Sequence, residues 1–259
     1  MKPLLISIFF IFSLNAKAEV NLIPFVYKGE RATDTPTVFW SKKDAVATLI
    51  FLPGGSGSFG LTKKNDPKPT WVLADLNNTD FLPINLVFLD SEFSLQGNYG
   101  EPYFRWSARR EESHVERIKT TIIFYKNLTK TPVFLFGHSN GSLSIAEFLN
   151  QSPDSQGLLA GVIFSGSRNE TDVRIKTSIP AMVLHHQSDP NRWTTPVAAE
   201  KLFTTLKQSN TNTTIQNWVT GGTDVTGGDP THTGRHMYND ATEEAASKIL
   251  SFISSVVGK

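Results

Sequence analysis

Residues 46–52 form an unbroken stretch with no charge and a single hydroxyl, and the stretch stops abruptly at Pro53-Gly54-Gly55. A strand with no polar face has nothing to offer water, so it fits the middle of a sheet that is covered on both sides. Further runs of this kind stand at 84–89, 132–136, 158–164, 181–185 and 215–219, while 20–27 and 37–40 read as an N-terminal hairpin. Between them lie segments of helical period. Residues 111–125 place Val115, Ile118, Ile122 and Tyr125 at steps of three and four, and the last segment repeats this with Ala245, Ile249, Ile253 and Val256. Shorter stretches of the same kind occupy 142–149 and 197–206. Strands alternating with helices predict an α/β fold with a mostly parallel central sheet and helices on both faces. The roughly dozen residues between the strand ending near Phe164 and Pro180 are too few for a large lid.

The start of the chain calls for separate treatment. Met1-Lys2 precedes an apolar run from Leu4 to Leu14 and then Ala16-Lys17-Ala18, the pattern of a secretory signal peptide cut after Ala18. The run is shorter than the roughly 20 residues that span a bilayer, so no stable membrane insertion is expected after cleavage. Residues 1–18 carry two of the 25 basic residues and none of the 24 acidic ones, leaving a net charge near −1 on residues 19–259. No bulk field favours nucleic acid or an anionic surface. Residues 19–259 suit one domain. With no Cys in the chain, a thiol nucleophile and a thiolate metal site are excluded. The reacting groups must be oxygen or nitrogen.

One motif supplies them. Phe134-Leu135-Phe136 runs into Gly137-His138-Ser139-Asn140-Gly141 and on into Ser142-Leu143, a strand, a Gly-x-Ser-x-Gly turn and a helix in that order. This is the context of a nucleophile elbow, where small neighbours let the Ser139 hydroxyl project from a sharp turn. A serine hydroxyl is a weak nucleophile at neutral pH. It needs a neutral imidazole to take its proton and a carboxylate to orient that imidazole.

In kind and order, the glycine-rich loop after an early strand, the elbow, a later acid and a His before the C-terminal helix resemble the α/β-hydrolase superfamily. More narrowly, the chain is similar to small secreted or periplasmic members with a Pro-Gly-Gly loop and a His-His-x-x-Asp segment, here His185-His186-Gln187-Ser188-Asp189. The resemblance implies Asp189 as the acid, with Glu170 and Asp172 as rivals. It implies a base between the last strand and the C-terminal helix, where His236 is preferred to His232. It also implies an oxyanion site built from the N–H of Asn140 and a donor of the Gly-rich loop, Gly55 before Ser56.

Other readings are weaker on chemical grounds. Pro53-Gly54-Gly55-Ser56-Gly57 lacks the Gly-Lys-Ser/Thr ending of a nucleotide loop. His185, His186, His232 and His236 form a possible metal cluster on paper, but the last two lie in a Gly/Pro-rich stretch where no helix is expected. No metal and no cofactor are therefore expected. Trp71, Phe104, Trp106 and Trp193 are candidates to line a ligand site, and Arg105, Arg109 and Arg110 to meet an anionic group. The expected function is a serine hydrolase of small-molecule carboxylic esters, acting through an acyl-enzyme outside the cytoplasm. A peptidase, amidase or thioesterase of the same fold, or a catalytically silent binding protein, are the alternatives.

Overall fold

The apolar run at 46–52 becomes β3 (Ala47–Leu52), buried along its whole length. β4 (Ile84–Leu89), β5 (Val133–His138), β6 (Gly161–Ser165) and β7 (Ala181–His186) are buried in the same way. The computed structural model that shows this describes residues 18–57, 67–92, 106–210, 212–224 and 234–258. At one edge of the sheet stands the half-buried β8 (Thr214–Val219), and at the other the hairpin of β1 (Ala18–Tyr27) and β2 (Glu30–Trp40). The strand order is β1-β2-β4-β3-β5-β6-β7-β8. Only the β1–β2 and β2–β4 pairs are antiparallel; the rest run parallel.

Alternate residues of each strand face opposite layers. Leu49, Phe51, Leu86, Phe88, Phe134 and Phe136 join a core closed by α1 (Val72–Asn78) and α5 (Thr242–Val257). Ile50, Leu52, Val87, Leu89 and Leu135 face α2 (Glu112–Thr129), α3 (Asn140–Gln151) and α4 (Pro196–Ser209). Each such side chain contributes about 1.5–3 kcal/mol when fully buried, so neither face can be left uncovered. The helical period of the sequence is thereby satisfied: Val115, Ile118, Ile122 and Tyr125 of α2 are all buried against the sheet.

Several boundaries differ from the sequence expectation. The hairpin starts at Ala18, which pairs with Trp40, and turns through Lys28 and Gly29, both at positive φ. Two such residues give the twist that joins adjacent strands by a tight turn. The strand expected at 158–164 begins only at Gly161, because 153–158 winds as a 3-10 turn first. Helix α3 starts directly after Ser139, two residues before the expected start, and α1 was not expected at all. Residues 166–180, between β6 and β7, lie on the body with Val173 and Ile179 buried, and they carry no lid.

Candidate active site

Ser139 stands where β5 gives way to α3, at φ 53° and ψ −117°. A non-glycine residue there is strained, and the surroundings must hold it. They do so with backbone bonds: Ser139 N–H donates to Ser165 O at 2.9 Å, and Ser139 O accepts from the N–H and the hydroxyl of Ser142. The flanking glycines are required by packing. A Cβ on Gly137 would meet the Gly141 carbonyl, and one on Gly141 would meet the Leu52 carbonyl of β3. The elbow is thus pressed against two neighbours, and the half-buried Ser139 hydroxyl makes no hydrogen bond among the described residues.

Asp189 and His236 come together at the same end of the sheet. His236 Nδ1 lies 2.8 Å from Asp189 Oδ2, both residues being buried. A carboxylate can only accept, so Nδ1 is the donor of this bond, which selects the tautomer whose Nε2 carries a lone pair. Asp189 Oδ2 also accepts from the Thr194 hydroxyl at 2.9 Å, and Oδ1 from Asn191 N–H at 2.9 Å. Burial would raise the Asp189 pKa, but the bonds from His185 and His236 outweigh it and hold the carboxyl well below its usual range. His185 Nε2 lies 3.4 Å from Oδ2 and 2.9 Å from Thr194 O. The carboxylate therefore sits among donors that fix its orientation.

His138 joins this pair to the elbow. Its ring packs 4.8 Å from that of His236, between Gly54 and Gly166. Gly166 has φ 47°, and a Cβ there would lie 2.6 Å from His138 and 3.2 Å from His236. Burial, and then the nearby His236, keep the His138 pKa well below the ordinary imidazole value, so this ring stays neutral. Its Nδ1 meets Ser165 Oγ at 3.0 Å, Ser165 Oγ meets Tyr238 Oη at 2.8 Å, and Tyr238 Oη donates to Leu184 O. Trp71 stacks on Tyr238, packs at a tilt against His138 and donates from Nε1 to Met237 O at 2.6 Å, bracing the turn Gly234–Met237 that carries His236.

The glycine loop lies across the elbow. A Cβ on Gly54 would be 3.0 Å from Ser139 Cβ, which shows how closely the two segments approach. Gly55 has φ 54°, is half-buried, and its N–H has no partner among the described residues. Asn140 opens α3, where first-turn N–H groups have no acceptor within the helix. Its side chain donates to Gly55 O at 3.0 Å.

The remaining candidates fall elsewhere. Glu170 pairs with Arg168, Asp172 is exposed, and neither bonds to His236. His186 is tied to Gly221 O and Ser188 N–H. Arg109 is buried beneath the glycine loop and Arg110 pairs with Glu147, so these two do not stand as free arms for a substrate anion. Trp193 is partly exposed with Arg192 over its ring. His232, Phe104, Arg105 and residues 1–17 lie outside the described residues, as does the side chain of Trp106. Sequence reasoning missed the contacts of Thr194, His138 and Arg109 with the site. His138 alone had a signal, its place beside the elbow serine.

Comparison with solved structures places this geometry in a known fold. A thermostable carboxyl esterase from Bacillus coagulans is similar with a TM-score of 0.60 and 13% identity, over 93% of this chain and 99% of that one. A serine hydrolase without a lid from Xanthomonas campestris gives 0.57 and 11%, over 92% and 94%. A dienelactone hydrolase from Anabaena variabilis gives 0.56 and 12%, over 92% and 98%. No family model and no curated protein matches the sequence.

Proposed function

From a chain with the α/β-hydrolase fold and no large lid, we propose a serine hydrolase that cleaves small-molecule carboxylic esters through an acyl-enzyme. The observation that carries this reading is the buried Asp189–His236 bond at 2.8 Å on the same sheet end as the strained Ser139 turn. His236 Nε2 takes the proton of Ser139 as its hydroxyl attacks the ester carbonyl. The charge that appears on the imidazolium is held by Asp189, and the charge on oxygen by the N–H groups of Gly55 and Asn140. The alcohol leaves with the proton from His236. Water then enters by the same route, with His236 again as base, and frees the acid.

Amides and thioesters present the same carbonyl to the same groups, so the ester preference rests on similarity to an esterase and other hydrolases. We further propose export through removal of residues 1–18, which would make the protein secreted or periplasmic; β1 then begins at Glu19. No cofactor is required by the chemistry. The test is labelling of the purified protein with a fluorophosphonate, followed by turnover of an ester, amide and thioester panel. Ser139→Ala is expected to abolish labelling and turnover and leave the unfolding transition in place, since Ala is smaller than Ser at a tight turn. Ordinary turnover in that variant would end the proposal. Turnover confined to amides would move the chain to the peptidase class.

A further inference from the structure

Three successive carbonyls of the glycine loop are held, and one side chain holds two of them. Arg109 Nη2 donates to Pro53 O at 3.1 Å and to Gly55 O at 3.1 Å, and Gly57 N–H closes on Gly54 O at 3.0 Å. Gly55 O takes a second bond from Asn140 Nδ2 at 3.0 Å. Nη1 of the same guanidinium donates to Ser144 Oγ at 3.2 Å, one helical turn beyond Asn140 on α3. Arg109 is only 2% exposed, and the room for it comes from Gly57, where a Cβ would lie 2.8 Å from Nη2.

A trans peptide is planar, so fixing a carbonyl fixes the N–H of the next residue on the opposite edge. The bond to Pro53 O sets the Gly54 N–H, the closure on Gly54 O sets the Gly55 N–H, and the clamp on Gly55 O stops the following peptide from rotating. The loop cannot turn its donors without breaking bonds to a guanidinium that is charged at every working pH. The same guanidinium reaches α3, the helix whose first N–H belongs to Asn140.

We propose that Arg109 is a positioning residue of the oxyanion site: its buried guanidinium fixes the Pro53–Gly57 loop against α3, so that the Gly55 and Asn140 N–H groups converge on one oxygen. This rests on the serine hydrolase reading above. Arg109 touches neither substrate nor nucleophile in this role. It acts through the backbone it holds, and its effect belongs to the transition state, where charge appears on the carbonyl oxygen. Loss of one such donor typically costs 10²–10³-fold in kcat.

The experiment measures kcat and KM for p-nitrophenyl butyrate, the pH profile, and inhibition by phenylboronic acid, whose adduct with a serine is a tetrahedral anion. The variants are Arg109→Met, Arg109→Lys and Asn140→Ala, each corrected for its folded fraction by thermal unfolding. Arg109→Met is expected to lower kcat about 100-fold, with KM within about threefold. Boronate affinity should fall by the same factor as kcat/KM, and the pH midpoint should not move. Arg109→Lys, which keeps the charge and reaches one carbonyl, should recover part of the loss. An unchanged kcat in folded Arg109→Met overturns the proposal, and so does a rise in KM alone with boronate affinity intact. If Arg109→Met fails to fold, Arg109→Lys decides. It keeps the charge and only one of the two carbonyl bonds, and equal partial losses in kcat and boronate affinity, larger than those of Asn140→Ala, support the proposal while no loss overturns it. Wild-type protein without Ser139-dependent fluorophosphonate labelling would sink the hydrolase reading itself, and this inference with it.

Discussion

Burial alone would raise the Asp189 pKa, and the donors from His185, His236 and Asn191 hold it below its usual range. A carboxyl whose folded pKa lies below its unfolded value of about 3.9 adds stability above that value and loses it as pH falls through the folded one. Asp189→Asn should therefore unfold more easily than wild type at pH 7, by about 1.5–3 kcal/mol, with the gap narrowing below about pH 4. Urea unfolding at pH 7 and pH 3 checks this; an equal gap at both refutes it. For the base, His236→Ala should be nearly inactive and His232→Ala should keep most of its turnover. The opposite pattern in steady-state rates would transfer the role to His232. The pairing of Asp189 with His236 was legible because chain order and strand ends locate them. The place of Arg109 was not, since a charged pair before a helix reads as surface arms for an anionic group rather than as a buried contact of the glycine loop. Its burial depends on carbonyls more than fifty positions earlier in the chain, and no local pattern contains those.

The junction of β5 and α3 is the element on which the site depends. Its two glycines leave no room between the elbow and β3, because the Leu52 carbonyl occupies the place where a Gly141 side chain would stand. Gly141→Ala must then push the helix off the sheet, a cost of about 1–3 kcal/mol in overpacking. A lowered unfolding midpoint with turnover reduced beyond the folded fraction is expected, and a midpoint equal to wild type would show the packing argument to be wrong. The central strands were readable because they are apolar throughout, and α2 and α5 because they are long enough to show a period. Helix α1 has only seven residues, of which Val72, Leu73 and Leu76 are buried. Three apolar positions in two turns do not distinguish a helix from a loop.

At the level of the whole molecule, residues 166–180 pass from β6 to β7 flat on the body. With no large lid to displace, the proposed hydrolase should turn over soluble monomeric esters without help from a lipid surface. Rates followed across the critical micelle concentration of the substrate test this; a sharp jump at that point would count against it.

The half-buried edge strand β8 has a different consequence. Ser139 directly follows β5, an interior strand of the sheet, whereas His236 comes after the edge strand β8 in the chain. Edge strands with partly exposed side chains open locally at a free energy below that of global unfolding. Fraying at that border would be expected to separate His236 from Asp189 while the central strands stay paired. If the chain is the proposed hydrolase, its shelf life should be set by its outermost strand, with turnover lost on warming before the fold.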